Sequence, residues 1–201
     1  MAGQTALQAL RDKGKMKVGD SILIFGGSGG VGSLAIQFAK ALGAAKVTTT
    51  SSSVDLCKGL GADEVINYHN DDVLTKLGTD KFNVVFDTVG GIENWKIGQK
   101  VISKGGTYVS IVGDGVSLGK MIPRLIYRKY IAFWNCGYDI FFTEPNAGDL
   151  ETIRGWVEEG KVKAVMDQVK PFPFTLDGAK DLFTKMMSGR NKGKITMTIK
   201  E

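Results

Sequence analysis

The sequence has few of the residues from which metal sites and disulfide frameworks are built. It contains two cysteines, Cys57 and Cys136, and a single histidine, His69. The cysteines are far apart and belong to no CxxC or Cys/His cluster, so no metal ligand is assigned and two buried free thiols in a reducing compartment are expected. The histidine has no identifiable partner and is expected on the surface after a strand. The catalytic residues therefore stay unassigned.

The sequence also lacks long apolar runs and concentrated charge. No run approaches the roughly 20 apolar residues of a membrane-spanning helix, and the N-terminal stretch MAGQTALQALRDKGK lacks the layout of a signal peptide. No membrane partner is expected, and the predicted location is cytoplasmic, or mitochondrial if a segment precedes Met1. The net charge is +5, but the basic residues are scattered, which indicates solvated faces and argues against a nucleic-acid partner.

Short apolar runs alternate with amphipathic stretches through the first half of the chain. The runs SILIFG, AKVTTTS, EVINY, FNVVFDTVG and GGTYVSIVG are typical of buried strands, and helical patterns separate them. Beyond Gly113 the pattern predicts a helix over VSLGKMIPRLIYRK, an aromatic-rich strand over YIAFWNCGYD, a helix that ends at Gly160, a final helix and a final strand, GKITMTI. This order predicts the α/β class: a Rossmann-type, doubly wound parallel sheet with helices on both faces.

A glycine-rich loop joins the first predicted strand to an amphipathic helix. It reads Gly27-Ser28-Gly29-Gly30-Val31-Gly32 and satisfies the G-x-G-x-x-G pattern in the strand–loop–helix context of a dinucleotide site. We expect Gly27 to allow the tight turn, Gly29 to let the backbone approach a pyrophosphate and Gly32 to let the helix pack close to the strand. The alternative is a turn without a ligand, which the agreement of strand, helix and following βα units disfavours.

The end of the second predicted strand indicates which dinucleotide is bound. An NAD site usually has an acidic residue there, about 20 residues after the glycine motif, to hold the ribose 2′-hydroxyl. This sequence has the run TTTSSS instead, and hydroxyl groups can donate hydrogen bonds to a 2′-phosphate that a carboxylate would repel. The sequence therefore favours NADP, although no Lys or Arg lies between Val47 and Cys57. The same run also fits a helix N-cap, with Ser52 and Asp55 in the positions of a capping box.

Several segments resemble one known family. The stretches GQTALQAL, VGDSILIFGGSGGVGSLAIQFAKALGA, LGADEVINY, FDTVGG, GGTYVSIVG, EEGKVKAVMDQVKPFPF and GKITM follow one another at the expected spacing over nearly the whole chain. They are similar to the zinc-independent quinone oxidoreductase branch of the medium-chain dehydrogenase/reductase superfamily. The resemblance implies NADP(H) as cofactor and a hydride transfer that reduces quinones, enones or related activated double bonds.

The resemblance also implies a set of cofactor-binding residues. Gly29, Gly30, Val31 and Gly32 would hold the pyrophosphate, with Gly27 in the turn; Thr50, Ser51 and Tyr68 would surround the adenosine 2′-phosphate and adenine; Val89 and Gly90 would line the ribose; Ile111, Val112 and Gly113 would lie near the nicotinamide; and Thr5 would reach the nicotinamide end. Family members often have a lysine in the helix after the second strand that meets the phosphate. The corresponding place is near Ser53, so Arg190 is the expected substitute at the cofactor's edge.

The resemblance finally implies that the chain is one half of such an enzyme. Full members carry a β-rich, GroES-like catalytic domain before the GxTAxxAL segment, with which this chain begins. We expect residues 1–201 to form the NADP(H)-binding domain, with a core over about 15–140 and a C-terminal segment, 141–201, that returns toward the catalytic domain. The aromatic strand from Tyr130 to Tyr138 is expected to pair across a homodimer. A non-catalytic nucleotide-sensing or protein-interaction module with the same fold is the alternative function.

Overall fold

The computed structural model contains one large parallel sheet and a second, two-stranded one. It describes residues 1–78, 81–112, 126, 136–167 and 171–199. The strands are β1 (Ser21–Phe25), β2 (Lys46–Thr50), β3 (Glu64–Ile66), β4 (Phe82–Asp87), β5 (Ile102–Ser110), β6 (Gly137–Ile140), β7 (Phe172–Pro173) and β8 (Met197–Thr198). The large sheet has the order β3-β2-β1-β4-β5-β6, and β7 pairs with β8. The order of the large sheet is that of a dinucleotide-binding Rossmann fold.

Helices connect most of these strands. They are α1 (Ala2–Gln8), which continues into a π-helical turn (Ala9–Lys13), α2 (Gly32–Ala41), α3 (Val54–Gly59), α4 (Val73–Leu77), α5 (Ile92–Val101), α6 (Ala147–Glu158) and α7 (Leu176–Met187). Gly43 and Gly160, which follow α2 and α6, have φ values of +87° and +70°, so both helices end at the glycine that the sequence predicts. None of the helices in the described ranges has the length and apolar character that crossing a bilayer requires.

Helices cover both faces of the large sheet. Successive side chains of a strand point to opposite faces. Ile22 and Ile24 of β1 accordingly pack in one cluster with residues of α1 and α2, whereas Leu23 and Phe25 pack in another with residues of α4 and α5. All four side chains are buried. The arrangement confirms the predicted doubly wound sheet.

Two predicted elements differ from the structure or fall outside its description. The fifth strand begins at Ile102, directly after α5 ends at Val101, so it starts earlier than GGTYVSIVG predicts. The helix predicted over VSLGKMIPRLIYRK lies outside the described residues, Ile126 apart, and so do residues 130–135 of the predicted aromatic strand. The end of that strand forms β6, which pairs in parallel with β5 at the edge of the sheet.

Side-chain amides attach residues 141–167 to the first two helices. The Gln8 amide donates to the Glu144 carbonyl at 2.7 Å and accepts from the Glu144 N–H at 3.1 Å. The Gln37 amide forms the same pair with Lys163, at 3.0 and 2.8 Å. Each glutamine therefore replaces a neighbouring backbone as the hydrogen-bonding partner of this segment.

The end of the chain returns to the glycine loop. The Gly193 N–H donates to the Ser28 carbonyl at 2.7 Å, and isolated parallel bridges join Gly29 to Gly193 and Met166 to Lys194. Within this chain, the strand predicted over GKITMTI pairs with β7 and not with the large sheet. Gly189 and Asn191, which precede this strand, thereby line one side of the cleft described below.

Candidate functional site

A cleft of about 540 Å³ opens beside the carboxyl ends of β1, β2 and β4. Open parallel sheets bind ligands at this edge, at the point where the strand order reverses. Five of the predicted cofactor residues line the cleft: Gly29, Thr50, Ser51, Tyr68 and Val89. Among the described residues that line it there is no carboxylate, so the cleft is compatible with an anionic ligand.

The turn of the glycine loop involves both Gly26 and Gly27. The Gly29 N–H donates to the Gly26 carbonyl at 3.2 Å, so Gly27 lies inside this turn. Gly26 has a φ of +85°, a conformation that only glycine adopts readily. A Cβ on Gly27 would overlap the side chain of Thr49, so this glycine is needed for close packing of the loop against β2.

The later glycines of the loop set how closely the backbone approaches its surroundings. A Cβ on Gly32 would overlap the Gly26 carbonyl oxygen and lie 2.9 Å from Gly27 Cα, so only glycine lets α2 begin this close to β1. A Cβ on Gly29 would meet only the Gly26 oxygen, at 3.5 Å. The backbone at Gly29 therefore faces open space beside the N-terminus of α2, which favours a phosphate.

The hydroxyl groups after β2 are largely engaged within the protein. Thr50 Oγ1 accepts from the Gly26 N–H at 3.2 Å, and Ser51 Oγ accepts from the Ser53 N–H at 3.0 Å. Burial raises the pKa of the Cys57 thiol, and a hydrogen bond with Ser51 opposes that rise. Ser53 is the N-cap of α3 and forms no side-chain cap bond, so the predicted capping box is wrong. A hydroxyl that accepts one hydrogen bond can still donate its own proton. Thr50 is better placed than Ser51 to donate to a ligand, because Ser51 also has a hydrogen bond with the Cys57 thiol.

A smaller pocket of about 240 Å³ adjoins the cleft and is basic. It is lined by Ser28, Ser52, Ser53, Tyr68, His69, Gly189, Arg190, Asn191 and Lys192. Tyr68 lines both pockets and is half exposed, and its ring lies 4.5 Å from the His69 ring between centroids. His69 is exposed on the surface after β3, as predicted. Arg190 lines this pocket together with Ser52 and Ser53, whereas Ser51 lines only the larger cleft.

The loop after β4 is held by a buried carboxylate. Asp87 Oδ1 accepts from the N–H groups of Val89 and Gly90, at 3.0 and 2.8 Å, and from the Asn94 amide at 3.2 Å. The Tyr108 hydroxyl donates to Asp87 Oδ2 at 2.6 Å. A buried carboxylate is costly unless its oxygens are bonded, and these four donors satisfy it. Val89 is thereby fixed at the cleft, while Gly90, with a φ of +80°, shapes the loop without lining it.

A second cleft, of about 580 Å³, is lined by two of the residues predicted at the nicotinamide end, Thr5 and Ile111. Val31, which is predicted at the pyrophosphate, also lines it. The Thr5 hydroxyl donates to the Met1 carbonyl at 3.0 Å and shares a 2.5 Å hydrogen bond with Thr143. Val112 does not line this cleft, since its carbonyl turns back to accept from Ser110 Oγ at 2.9 Å. Gly113 lies outside the described residues.

Sequence reasoning missed two residues that reach these clefts from the end of the chain. Lys194 lines the second cleft, and a Cβ on Gly30 would lie 3.3 Å from Lys194 Cδ and from the Gly193 carbonyl. Asn191 lines the first cleft. No local pattern marks either residue. Thr88 also lines the first cleft, and its place directly after β4 is a signal that could have found it.

The described residues contain no group of three or more His, Cys, Asp or Glu side chains that could hold a metal ion. Cys57 and Cys136 are buried free thiols. The site therefore consists of backbone amides, hydroxyls, one aromatic ring and cations, which are groups that bind a phosphorylated nucleotide.

Comparison with known proteins assigns the family. A sequence model described as zinc-binding dehydrogenase matches residues 60–196. The chain belongs to this family. The chain is 34% identical over 205 residues to the trans-enoyl reductase pgmF of Aspergillus terreus, covering 99% of the chain and 57% of that protein. It is 33% identical over 186 residues to the NADPH-dependent alkenal/one oxidoreductase, chloroplastic, of Arabidopsis thaliana, covering 91% and 42%.

A solved structure agrees with this assignment. The quinone oxidoreductase from Coxiella burnetii superposes with a TM-score of 0.81 at 31% identity, covering all of this chain and 59% of that one. The chain therefore lies in the quinone oxidoreductase-like branch, as the resemblance predicts, and corresponds to its cofactor-binding part. It spans about half the length of the curated relatives it matches.

Proposed function

We propose that this chain binds NADP(H) in the first cleft and serves as the cofactor-binding half of an oxidoreductase that reduces activated double bonds. One observation supports the cofactor most strongly. At the switch point of the sheet, a glycine loop and a basic, hydroxyl-lined pocket face one cleft, and no described carboxylate lines either pocket. An NAD site would place an acidic side chain there.

The proposed cofactor lies along the carboxyl edge of the sheet. The backbone from Gly29 to Gly32 and the N-terminus of α2 hold the pyrophosphate, with Lys194 as the cation beside them. Tyr68 and the hydroxyl of Thr50 face the adenosine, and Arg190 binds the 2′-phosphate with Ser52 and Ser53. The loop fixed by Asp87 contacts the ribose.

The nicotinamide end is proposed for the second cleft. Thr5, held by Met1 and Thr143, and Ile111 line it. Gly113 remains a proposed member of this end, whereas Val112 does not line the cleft. The bound cofactor supplies the hydride, and the chain's own residues fix the position of the ring and exclude water around it.

The names of the relatives support the class of acceptor. One is a trans-enoyl reductase, one an alkenal/one oxidoreductase and one a quinone oxidoreductase, and all three names describe conjugated or activated double bonds. We propose the same class of acceptor here and, as in the zinc-independent branch that the sequence resembles, a reduction without zinc.

We propose that further protein covers part of the C-terminal segment. Phe174, Leu176, Phe183, Met186 and Met187 are large apolar side chains on or beside α7, and all are exposed. Exposed apolar patches of this kind mark contact surfaces. A catalytic domain of the kind that the resemblance implies would cover them and complete the substrate cleft. The homodimer through the strand near Tyr130 and Tyr138, and a cytoplasmic location, are also proposals.

Titration of the chain with NADPH and with NADH, followed by the fluorescence of the reduced nicotinamide, tests the cofactor. We expect NADPH to bind more tightly, and Arg190→Ala to weaken NADPH by about tenfold with little change for NADH, since a charge-assisted bond to the phosphate is lost. Lys180→Ala, on the exposed face of α7, is the matched control. Failure to bind either nucleotide would refute the cofactor assignment, and equal affinities would refute the preference for NADPH.

An activity assay tests the reaction. The complete protein is mixed with NADPH and with quinones or enones, and the loss of NADPH absorbance is followed. Nucleotide binding without reduction of any such acceptor would favour a non-catalytic nucleotide-sensing or protein-interaction module.

A further inference from the structure

A basic loop closes one side of the first cleft. Residues 188–194, called here the 188–194 loop, follow α7 and contain Arg190, Lys192 and Lys194. Arg190 and Lys192 line the basic pocket, and Asn191 lines both this pocket and the cleft. The loop has no regular secondary structure apart from bridges at its end, so the question is what fixes its position.

Asp167 lies at the base of the 188–194 loop and binds it twice. Its side chain is only 4% exposed. Its carboxylate accepts from the Lys192 N–H at 2.8 Å and pairs with the Lys185 ammonium of α7 at 3.1 Å. Its own N–H donates to the Lys194 carbonyl at 2.9 Å. One residue thus holds the loop on both sides of Gly193.

Gly193 itself is seated between two segments. Its N–H donates to the Ser28 carbonyl, and its φ is +80°. A Cβ at this position would overlap the Val165 carbonyl oxygen. The Gly193 bond to Ser28 therefore joins the 188–194 loop to the glycine loop, and Asp167 holds the residues on either side of Gly193.

Asn191 shows that the inner side of this loop is built to meet a ligand. Its side-chain oxygen is buried and has no hydrogen-bond partner among the described residues. A buried polar atom without a partner is destabilising, and this atom belongs to a residue that lines the cleft. A donor on a bound nucleotide would satisfy it.

We infer that Asp167 is a positioning residue for NADPH: by holding the main chain at Lys192 and Lys194 it fixes Arg190 and Asn191 at the basic pocket and so sets the preference for NADPH over NADH. The inference rests on the proposed function. Asp167 lines neither the cleft nor the basic pocket. Its carboxylate pairs with Lys185 and accepts from the Lys192 N–H, so it does not face the phosphate.

The test compares NADPH and NADH affinities of Asp167 variants of this chain by the same fluorescence titration. Asp167→Ala removes the bond to Lys192, and we expect NADPH affinity to fall by about tenfold, which corresponds to one charge-assisted bond. NADH affinity should change by less than about twofold. Asp167→Asn keeps an acceptor for the Lys192 N–H and should recover part of the loss. The matched control is Asp177→Ala, which removes a 90% exposed carboxylate paired with Lys180 on α7.

Three outcomes decide the inference. A selective loss of NADPH affinity in Asp167→Ala, with partial rescue by Asp167→Asn, supports it. An equal loss for both nucleotides, or no loss for either, overturns it and leaves Asp167 as an ordinary structural residue. If the unchanged chain binds neither nucleotide or binds both equally, the proposed function fails instead. Circular dichroism of each variant shows that it is folded, and Asp167→Asn decides the matter if Asp167→Ala is not.

Discussion

The two loops that face each other across the cleft are held in different ways. The glycine loop between β1 and α2 is fixed by backbone contacts, because Gly26, Gly27 and Gly32 each lie where a side chain would be strained or would collide. The 188–194 loop is fixed by a buried carboxylate and by one glycine, Gly193, against the Val165 backbone. The first loop packs against the ends of neighbouring strands of the sheet, whereas the second is held by a polar side chain 25 residues away in sequence.

The same contrast applies to the larger regions around them. Apolar side chains on both faces of the sheet hold the first 112 residues together. Residues 141–199 also bury Phe141 and Val162, but their attachment depends strongly on the polar side chains of Gln8, Gln37 and Asp149. A closely packed region is destabilised by added atoms. A region attached by polar groups is destabilised by the loss of a single hydrogen-bond donor or by a change in pH.

The largest effect is expected in the glycine loop. Gly32→Ala should destabilise the chain by about 3 kcal/mol, because the new Cβ would meet backbone atoms that cannot move aside. Urea denaturation measures the change. Gly29→Ala is the matched variant: its Cβ has room, so stability should change by less than about 1 kcal/mol, while NADPH affinity falls because the pyrophosphate loses its approach. Equal destabilisation by both variants would contradict this account.

A smaller effect is expected at the opposite loop. Gly193→Ala should cost about 2 kcal/mol, from its left-handed backbone and from overlap with the Val165 carbonyl. Gly160→Ala shares the positive φ but has no neighbour within 4 Å, so it should cost only about 1 kcal/mol. Urea denaturation measures the loss in free energy of unfolding for both variants, and the difference between the two losses gives the cost of the overlap with Val165. If Gly160→Ala is as destabilising as Gly193→Ala, the contact with Val165 has no part in holding the loop.

The polar attachment is tested at Gln37, which is 4% exposed. Gln37→Ala removes both bonds to the Lys163 backbone and should destabilise by about 1.5 kcal/mol. Gln37→Glu keeps the shape but turns an oxygen toward the Lys163 carbonyl, so it should be worse than Gln37→Ala. Unfolding measurements on both variants, with hydrogen exchange at residues 161–167, show whether the amide pair holds this segment. If Gln37→Glu is as stable as the unchanged chain, the amide pair does not hold this segment.

The smallest effect is a pH dependence at Asp149. Burial raises the pKa of this carboxyl, but hydrogen bonds from Gln8 and Arg11 outweigh burial and hold the pKa below its usual range. Because the folded pKa is lower than the unfolded value of about 3.9, the carboxylate stabilises the fold above that value, and the contribution is lost as pH falls through the folded pKa.

Asp149→Asn should therefore be less stable than the unchanged chain by about 1 kcal/mol at pH 7, a value reduced because Arg11 is partly exposed. The difference should shrink as the pH falls below about 4. Urea denaturation across this range measures it. Asp177→Asn, at an exposed carboxylate, should show no such trend, and a trend of the same size there would rule out the burial of Asp149 as the cause.

The sequence was sufficient for the parts of the fold that depend on local patterns. The strands of the large sheet, the helix after the glycine loop and the stops at Gly43 and Gly160 follow from apolar runs and glycine conformations that a few neighbouring residues determine. The cleft position follows as well, since strand order places the ends of β1, β2 and β4 together. Local patterns place Thr50, Tyr68 and Val89 at or after strand ends, and the family resemblance assigns them to the cofactor.

Residues brought together from distant parts of the chain could not be predicted in this way. The packing of Gly26 and Gly27 depends on contacts with Thr88 and Thr49, which belong to other parts of the sheet. Nothing near Asp167, Asn191 or Lys194 in the sequence indicates that the segments containing them come together beside the glycine loop. Their positions result from hydrogen bonds between segments that only the complete fold brings into contact.

The bridge between Gly29 and Gly193 has a consequence for biosynthesis. The glycine loop leaves the ribosome with the strand and helix that shape it, whereas its opposite wall is translated only after the remaining strands of the large sheet. Domains begin to fold from the N-terminus during synthesis, so the nascent chain holds a half-built cleft until Gly193 has been added. A ligand that stabilises only the completed cleft can protect the finished protein and not the growing one.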